Sequence, residues 1–213
     1  AIYRLKREFR SLATIEHPNL VRLYDLFVTG DGCFFTMERI TGVDLATYVS
    51  ARDHSSENAS TVPEAAFRPF DEAAIRHGIA GLVRGLDALH KAGLLHRDLK
   101  PSNVMVTPQG RVVLLDFGLV VDAHAAVQQT IQGAVTGTVA YMAPEQARGV
   151  TELTAACDLY AVGVILYELL SGRLPFEGPV LRLMLAKQTE DPPRVARSVP
   201  SVPEDLDSRA SAL

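Results

Sequence analysis

Cysteine, net charge and long apolar runs are all scarce in this sequence, and each shortage excludes something. Only two cysteines occur in 213 residues, Cys33 and Cys157, far apart and at no metal-ligand spacing. They read as reduced thiols of a cytosolic protein. The formal net charge is −4, so no basic field points to nucleic acid or to an anionic membrane. The longest apolar run, Leu159–Leu170, is interrupted by Glu168 and falls short of the roughly 20 residues that a membrane-spanning helix needs. Residues 1–10 carry Arg4, Lys6, Arg7 and Arg10 with no apolar stretch behind them, which is not a signal peptide. Internal repeats and glycine- or serine-rich linkers are also missing. The expectation is a cytoplasmic domain without nucleic-acid or membrane contact, any membrane anchor lying outside these residues.

What is present is an ordinary globular composition, 47% apolar and 22% charged, arranged in clear periods. Ile2, Leu5, Phe9, Leu12 and Ile15 recur at helical steps, and His17-Pro18-Asn19 ends the run. Leu20–Val28 and Phe34–Ile40 are β-favouring runs around the turn residues Gly30-Asp31-Gly32, a hairpin. A short helix is expected around Asp44–Ser50. Residues 51–70 are polar and aperiodic, a surface insertion. Ile75, Ile79, Leu82, Val83, Leu86 and Leu89 form a second helical stripe closed by Gly93. Val104–Thr107 and Arg111–Leu115 read as paired strands. Residues 119–143 carry no clear element. Cys157–Leu170 is apolar on nearly every side and should be a buried central helix ended by Gly172 and Pro175. Val180–Gln188 reads as another helix. The tail holds Pro192, Pro193, Pro200 and Pro203 before a last helical start at EDLDSRASAL.

The chemistry sits between these elements. HRDLKPSN occupies His96–Asn103, and Asp116 follows Asp98 by eighteen positions. Phosphoryl transfer asks a protein for positioning and charge compensation more than for covalent help. A carboxylate and an amide oxygen, Asp116 and Asn103, suit a hard magnesium ion. A further carboxylate, Asp98, can take the proton of an attacking hydroxyl. Lys100 can meet a phosphate as a point charge. DFG at Asp116–Gly118 and APE at Ala143–Glu145 follow in order.

With these motifs the chain resembles the eukaryotic-type Ser/Thr protein kinases, including their bacterial members, over essentially its whole length. The resemblance implies an α+β, protein-kinase-like fold. A partial N-lobe over 1–40 would hold one helix, a hairpin and the start of the hinge, and a mostly helical C-lobe would fill 41–213 with its last helices missing. It implies transfer of the γ-phosphate of ATP to protein Ser/Thr hydroxyls, with magnesium as the metal. Asp98 would be the catalytic base, Lys100 the γ-phosphate contact, and Asn103 and Asp116 the metal ligands. Met37, Glu38 and Ile40 would form the gatekeeper and hinge, and Met105 would lie under the adenine. Glu8 would match the glutamate that pairs with the nucleotide-binding lysine; a solvated glutamate balancing Arg4 is the alternative. Phe117 and His96 would stack below Leu12 and Leu23, and Asp158 would brace the catalytic loop. Thr138 would face the substrate residue. Arg97 would receive a phosphorylated activation segment, with Thr130 and Thr136 as acceptors or as unmodified loop threonines.

No glycine-rich loop or lysine-bearing strand precedes the first helix, so the chain is expected to be a fragment that binds ATP poorly. The rival from another class is a pseudokinase or docking module that binds partners without phosphotransfer; it has no physical need for Asp98, Lys100, Asn103 and Asp116 together. A small-molecule kinase is disfavoured by GTVAYMAPEQ at 137–146, a protein-substrate platform in the family. By the same resemblance Thr130, seven positions before Gly137, is expected to be autophosphorylated. Phosphosite mapping by mass spectrometry after incubation of the full-length protein with ATP should find Thr130 modified, and a persistently bare Thr130 would refute it.

Overall fold

The computed structural model describes residues 2–30, 32–52, 70–117 and 136–212. It opens with helix α1, Ile2–Ala13, whose Phe9 and Leu12 are buried. The helix stops short of the expected His17. Thr14 donates its hydroxyl to the Ser11 carbonyl at 2.8 Å and Ile15 N–H returns to Leu12, so the last turn tightens before the proline is reached.

Strands β1 (Leu23–Thr29) and β2 (Gly32–Met37) form the expected antiparallel hairpin. Its first strand begins three residues later than the apolar run, because Leu20 and Val21 pair elsewhere. Leu20 bridges Leu114, Val21 N–H donates to the Leu114 carbonyl at 3.0 Å, and Leu114 N–H donates to Asn19 at 2.9 Å. Phe27 and Phe34 stack with ring centroids 4.9 Å apart on the exposed face.

Strand β3 (Val43–Asp44) leads into α2 (Leu45–Arg52) and pairs with β4 (Val104–Val106), which pairs with β5 (Val112–Leu114). The expected hairpin at 104–115 therefore supplies the central strand, β4, and the outer strand, β5, of a three-stranded antiparallel sheet. The insertion expected at 51–70 lies largely outside the described residues. Helix α3, Glu72–Lys91, starts on the Asp71 cap, whose carboxylate accepts from Ala74 N–H at 2.9 Å. Its end turns through Gly93 at φ 73°, the left-handed geometry that favours glycine.

Two short helices, α4 (Thr136–Val139) and α5 (Pro144–Ala147), precede the central helix α6, Ala155–Ser171. Thr154 caps α6 and Gly172 ends it at φ 69°. Val164, Ile165 and Leu170 are fully enclosed, as the all-round apolar pattern requires. Helix α7 spans Val180–Thr189 and α8 spans Glu204–Ala210, the latter docked on α6. The main core joins α1, the sheet, α3, α6 and α8, and a satellite cluster of Phe176, Leu183 and Ala186 lies beside α7. No described helix is long and apolar enough to cross a membrane.

Glycines set how close α3 lies to the sheet. A Cβ on Gly81 would strike the Val112 side chain, and one on Gly85 would stand 2.8 Å from the Asn19 carbonyl and 3.0 Å from Leu114 Cδ1. The Asn19 carbonyl is held in place by Leu114 N–H, so it cannot yield freely. Gly85→Ala gains about 1 kcal/mol of helix propensity but overpacks the contact by about 1–3 kcal/mol. A net loss of about 1 kcal/mol in urea unfolding is expected, and a stabilised variant would contradict the close packing.

Candidate active site

The site is built on a buried carboxylate. Asp158 lies in the first turn of α6, 1% exposed, where the helix N-terminus favours negative charge. Its Oδ2 accepts from His96 N–H at 2.9 Å and from His90 Nε2 at 2.8 Å, and its Oδ1 accepts from Arg97 N–H at 2.8 Å. The loop that it grips is bent unfavourably. Arg97 has φ 68°, a left-handed conformation that costs a non-glycine residue about 1–3 kcal/mol unless its surroundings enforce it.

His96 is fully buried, and burial pushes its pKa down. The ring is therefore neutral, and its Nε2, 2.8 Å from the Leu115 carbonyl, must be the protonated nitrogen. The Phe117 ring meets it edge-on with centroids 5.7 Å apart. Leu12 and Leu23 are buried in the same core.

From Arg97 the chain turns into Asp98. Lys100 Nζ donates to Asp98 Oδ2 at 3.0 Å, and Asn103 Nδ2 donates to the Asp98 carbonyl at 2.8 Å and to Oδ2 at 3.2 Å. A 3-10 turn over Pro101–Asn103 brings the amide back to the aspartate. Asp98 Oδ1 is buried and has no hydrogen-bond partner among the described residues. One oxygen of the carboxylate is thus fixed by two donors, while the other is left without a partner among the described residues. The Asn103 amide directs its nitrogen to Asp98, so its oxygen faces away from that carboxylate.

Leu115 N–H donates to the Asn103 carbonyl at 2.8 Å, locking the end of the hairpin to the loop. One residue on, Asp116 is exposed with φ 51°. No group of three or more His, Cys, Asp or Glu side chains among the described residues could enclose a metal alone. One carboxylate and one amide oxygen instead match the habit of magnesium, which keeps waters and takes further oxygens from phosphates.

The remaining expected residues divide into those near this centre and those not. Thr138 Oγ1 lies 3.4 Å from Lys100 Nζ. Arg97 Nη1 lies 4.0 Å from Glu8 Oε1, so α1 reaches the catalytic loop through that pair. Met105, on β4, is half-buried opposite Val113. Met37 is 40% exposed at the end of β2. Glu38 turns its carboxylate away, onto both Arg111 guanidinium nitrogens, and that guanidinium holds its carboxyl below the usual range. Ile40 makes no backbone hydrogen bond among the described residues. Gly118 and Thr130 lie outside the described residues, and Thr136 is described only as the start of α4.

Sequence reasoning missed three supporting side chains. His90 completes the Asp158 cage. Gln146 donates to the Arg97 carbonyl at 3.0 Å while its Oε1 accepts from Ala143 N–H at 3.0 Å, docking the APE turn on the loop. Arg111 joins Glu38 and also donates to the Pro18 carbonyl at 2.7 Å. A histidine in a helical stripe and an arginine in a hairpin turn carry no local signal for such long-range contacts.

A sequence profile of the protein kinase domain matches residues 3–207. The chain belongs to the protein kinase family. It is 32% identical over 208 residues to the serine/threonine-protein kinase PrkC of Bacillus subtilis, covering 97% of this chain and 30% of that protein. Against the serine/threonine-protein kinase PknL of Mycobacterium tuberculosis it is 36% identical over 205 residues, covering 96% and 47%. The chain thus spans less than half the length of either relative. The crystal structure of a single-site mutant of the Mycobacterium tuberculosis PknI kinase domain superposes with a TM-score of 0.66 at 22% identity, covering 99% of this chain and 68% of that one. That likeness shows the kinase fold, α+β with a few strands and several helices, as the motifs implied.

In this kinase domain the Asp158 cage is the test of how the loop is held. Asp158→Asn replaces one acceptor oxygen by an NH₂ facing a buried backbone N–H. Hydrogen bonds to charged groups contribute about 1.5–3 kcal/mol each and buried unpaired donors cost similar amounts. A loss of about 2–4 kcal/mol in denaturant unfolding is expected; a loss below about 0.5 kcal/mol would show that the loop holds its shape without the cage.

Proposed function

We propose that the chain is the catalytic part of a protein serine/threonine kinase that transfers the γ-phosphate of ATP to protein hydroxyls. The observation that carries this reading is the Asp98 carboxylate, one oxygen held by Lys100 and Asn103 and the other buried without a partner among the described residues. Such a half-satisfied carboxylate suits a group waiting for a hydroxyl proton.

In this reading the acceptor hydroxyl approaches Asp98 Oδ1, its oxygen bonds to the γ-phosphorus, and the bond from that phosphorus to the bridging oxygen breaks as ADP leaves. The hydroxyl proton passes to Asp98. Lys100, 3.0 Å from Asp98, sets its point charge beside the transferring group and holds the base in place. Asn103 and Asp116 would hold magnesium, which when bound neutralises charge developing on the phosphate oxygens. Met37, Glu38 and Ile40 would frame the adenine through backbone groups, with Met105 beneath it. Glu8 would face the nucleotide lysine from α1, and its proximity to Arg97 would link that pair to the loop. Thr138, within reach of Lys100, supports a substrate-facing role, and Arg97 with Thr130 and Thr136 would form the phosphorylation-responsive part. Residues 1–40 would act as the small lobe and 41–213 as the large lobe, with 51–70 a surface insertion. The working location proposed is the cytoplasm.

Lysine at position 100 supports Ser/Thr over Tyr acceptors by the family resemblance. The names of the relatives, all serine/threonine-protein kinases, support it too. The test is phosphate transfer from labelled ATP by the full-length protein, with Asp98→Asn beside it. Loss of a general base lowers kcat by about 10²–10⁴-fold. Equal rates in the two proteins would remove Asp98 from the chemistry, and no transfer by the wild type would favour a docking module.

A further inference from the structure

One buried cation has no role in the chemistry just described. Lys187 lies on α7 and is 6% exposed, whereas Leu181 and Leu185 on the same helix are 81% and 61% exposed. Lys187 thus faces protein beside the buried Leu183 and Ala186, while two leucines of the helix face solvent. Lys187 Nζ donates to the Ala140 carbonyl at 2.6 Å and to the Met142 carbonyl at 2.7 Å. It also stands 5.2 Å from the centroid of the Tyr160 ring on α6, a cation–π contact.

Among the described residues no carboxylate compensates this lysine. Burial alone pushes its pKa down to about 7. Glu145, on the neighbouring α5, acts on Tyr160 and Cys157 but not on Lys187. A charge kept inside without a counter-ion is expensive, so the two carbonyls are what it is there to meet. They converge on one point, where their dipoles would repel one another without a donor between them. An ammonium offers three donors in a compact head, which a shorter or apolar side chain cannot replace.

These carbonyls belong to the turn that carries Thr138 toward Lys100. Tyr141 N–H returns to the Thr138 carbonyl at 3.2 Å and Met142 N–H to Val139 at 3.3 Å, so a shift of either carbonyl passes to Thr138 within one turn. Other fastenings of the same segment are Tyr141 Oη donating to Glu168 at 2.7 Å, Lys100 Nζ reaching Thr138, and Gln146, which accepts from Ala143 N–H and bonds Arg97. Lys187 is the one that comes from α7.

We propose that Lys187 is a positioning residue for the protein substrate: by holding the Ala140 and Met142 carbonyls it sets where the 136–143 segment presents an acceptor hydroxyl to Asp98. This rests on the kinase reading above. Lysine at 187 then governs engagement of the phosphoacceptor protein and leaves the nucleotide side, formed by other elements, outside its reach.

The experiment uses the full-length protein with casein as acceptor, measuring KM for casein and for ATP separately. Lys187→Met is expected to raise the casein KM about tenfold while the ATP KM moves less than twofold. Lys187→Gln, which keeps a donor on a shorter arm, is expected to fall between Met and wild type. An unchanged casein KM in Lys187→Met, or equal rises in both constants, would overturn the proposal. So would failure of both variants to fold by circular dichroism, since Lys187 would then be a stability residue. Wild-type protein that transfers no phosphate would instead sink the kinase reading itself, which separates the two failures.

Discussion

The Asp158 carboxylate holds the catalytic loop in a shape that the loop would not keep alone. Three donors converge on it, two from the backbone of His96 and Arg97 and one from His90. Arg97 at φ 68° stores strain that only such over-determination can sustain. The direction of Asp98 follows from that bend, and Lys100 and Asn103 follow from Asp98. A buried charge is tolerated here because every lone pair that the loop needs is used, and because the carboxylate stands in the first turn of α6. The central helix thus supplies both the hydrophobic floor of the domain and the charge that orders the chemistry above it.

Around that point the protein separates polar groups that must be satisfied from those that must stay open. His96 is neutral and spends its one N–H on Leu115. Gln146 spends both ends of its amide on the loop and the APE turn. Asp98 alone keeps a buried oxygen unpartnered within the set of Asp98, Lys100 and Asn103. His96 Nδ1 and Arg97 Nε nearby are likewise buried without partners among the described residues, so the polar groups around Asp98 are only partly satisfied. Asp116, two residues past β5, is by contrast exposed.

The family was legible in the sequence because its motifs are short and ordered: His96–Asn103 and Asp116–Gly118 carry their spacing openly, and the elements around them follow from helical period and strand composition. The boundaries were less legible. The first helix ends at Ala13 rather than at the proline, through a side-chain bond from Thr14 that periodicity does not encode. The first strand begins at Leu23 rather than Leu20, because the preceding apolar residues serve a different sheet. The braces were not legible at all. Arg111 meets Glu38 across 73 positions and His90 meets Asp158 across 68. Lys187 looks in sequence like a solvated helix lysine. Only the fold brings these partners together, and their residue types have many blander uses.

The bonds around Asn19 bear on how the two parts of the domain can move. Its side chain donates to the Val112 carbonyl at 2.7 Å, its own carbonyl accepts from Leu114, and Arg111 grips Pro18 beside it. The stretch from Pro18 to Val21 is therefore stitched to the same hairpin that ends in Asp116. The seam couples the segment that follows α1 directly to the β4–β5 hairpin. A change in the tilt of α1 would therefore reach Asp116 through this stitched segment, which begins ten positions after Glu8.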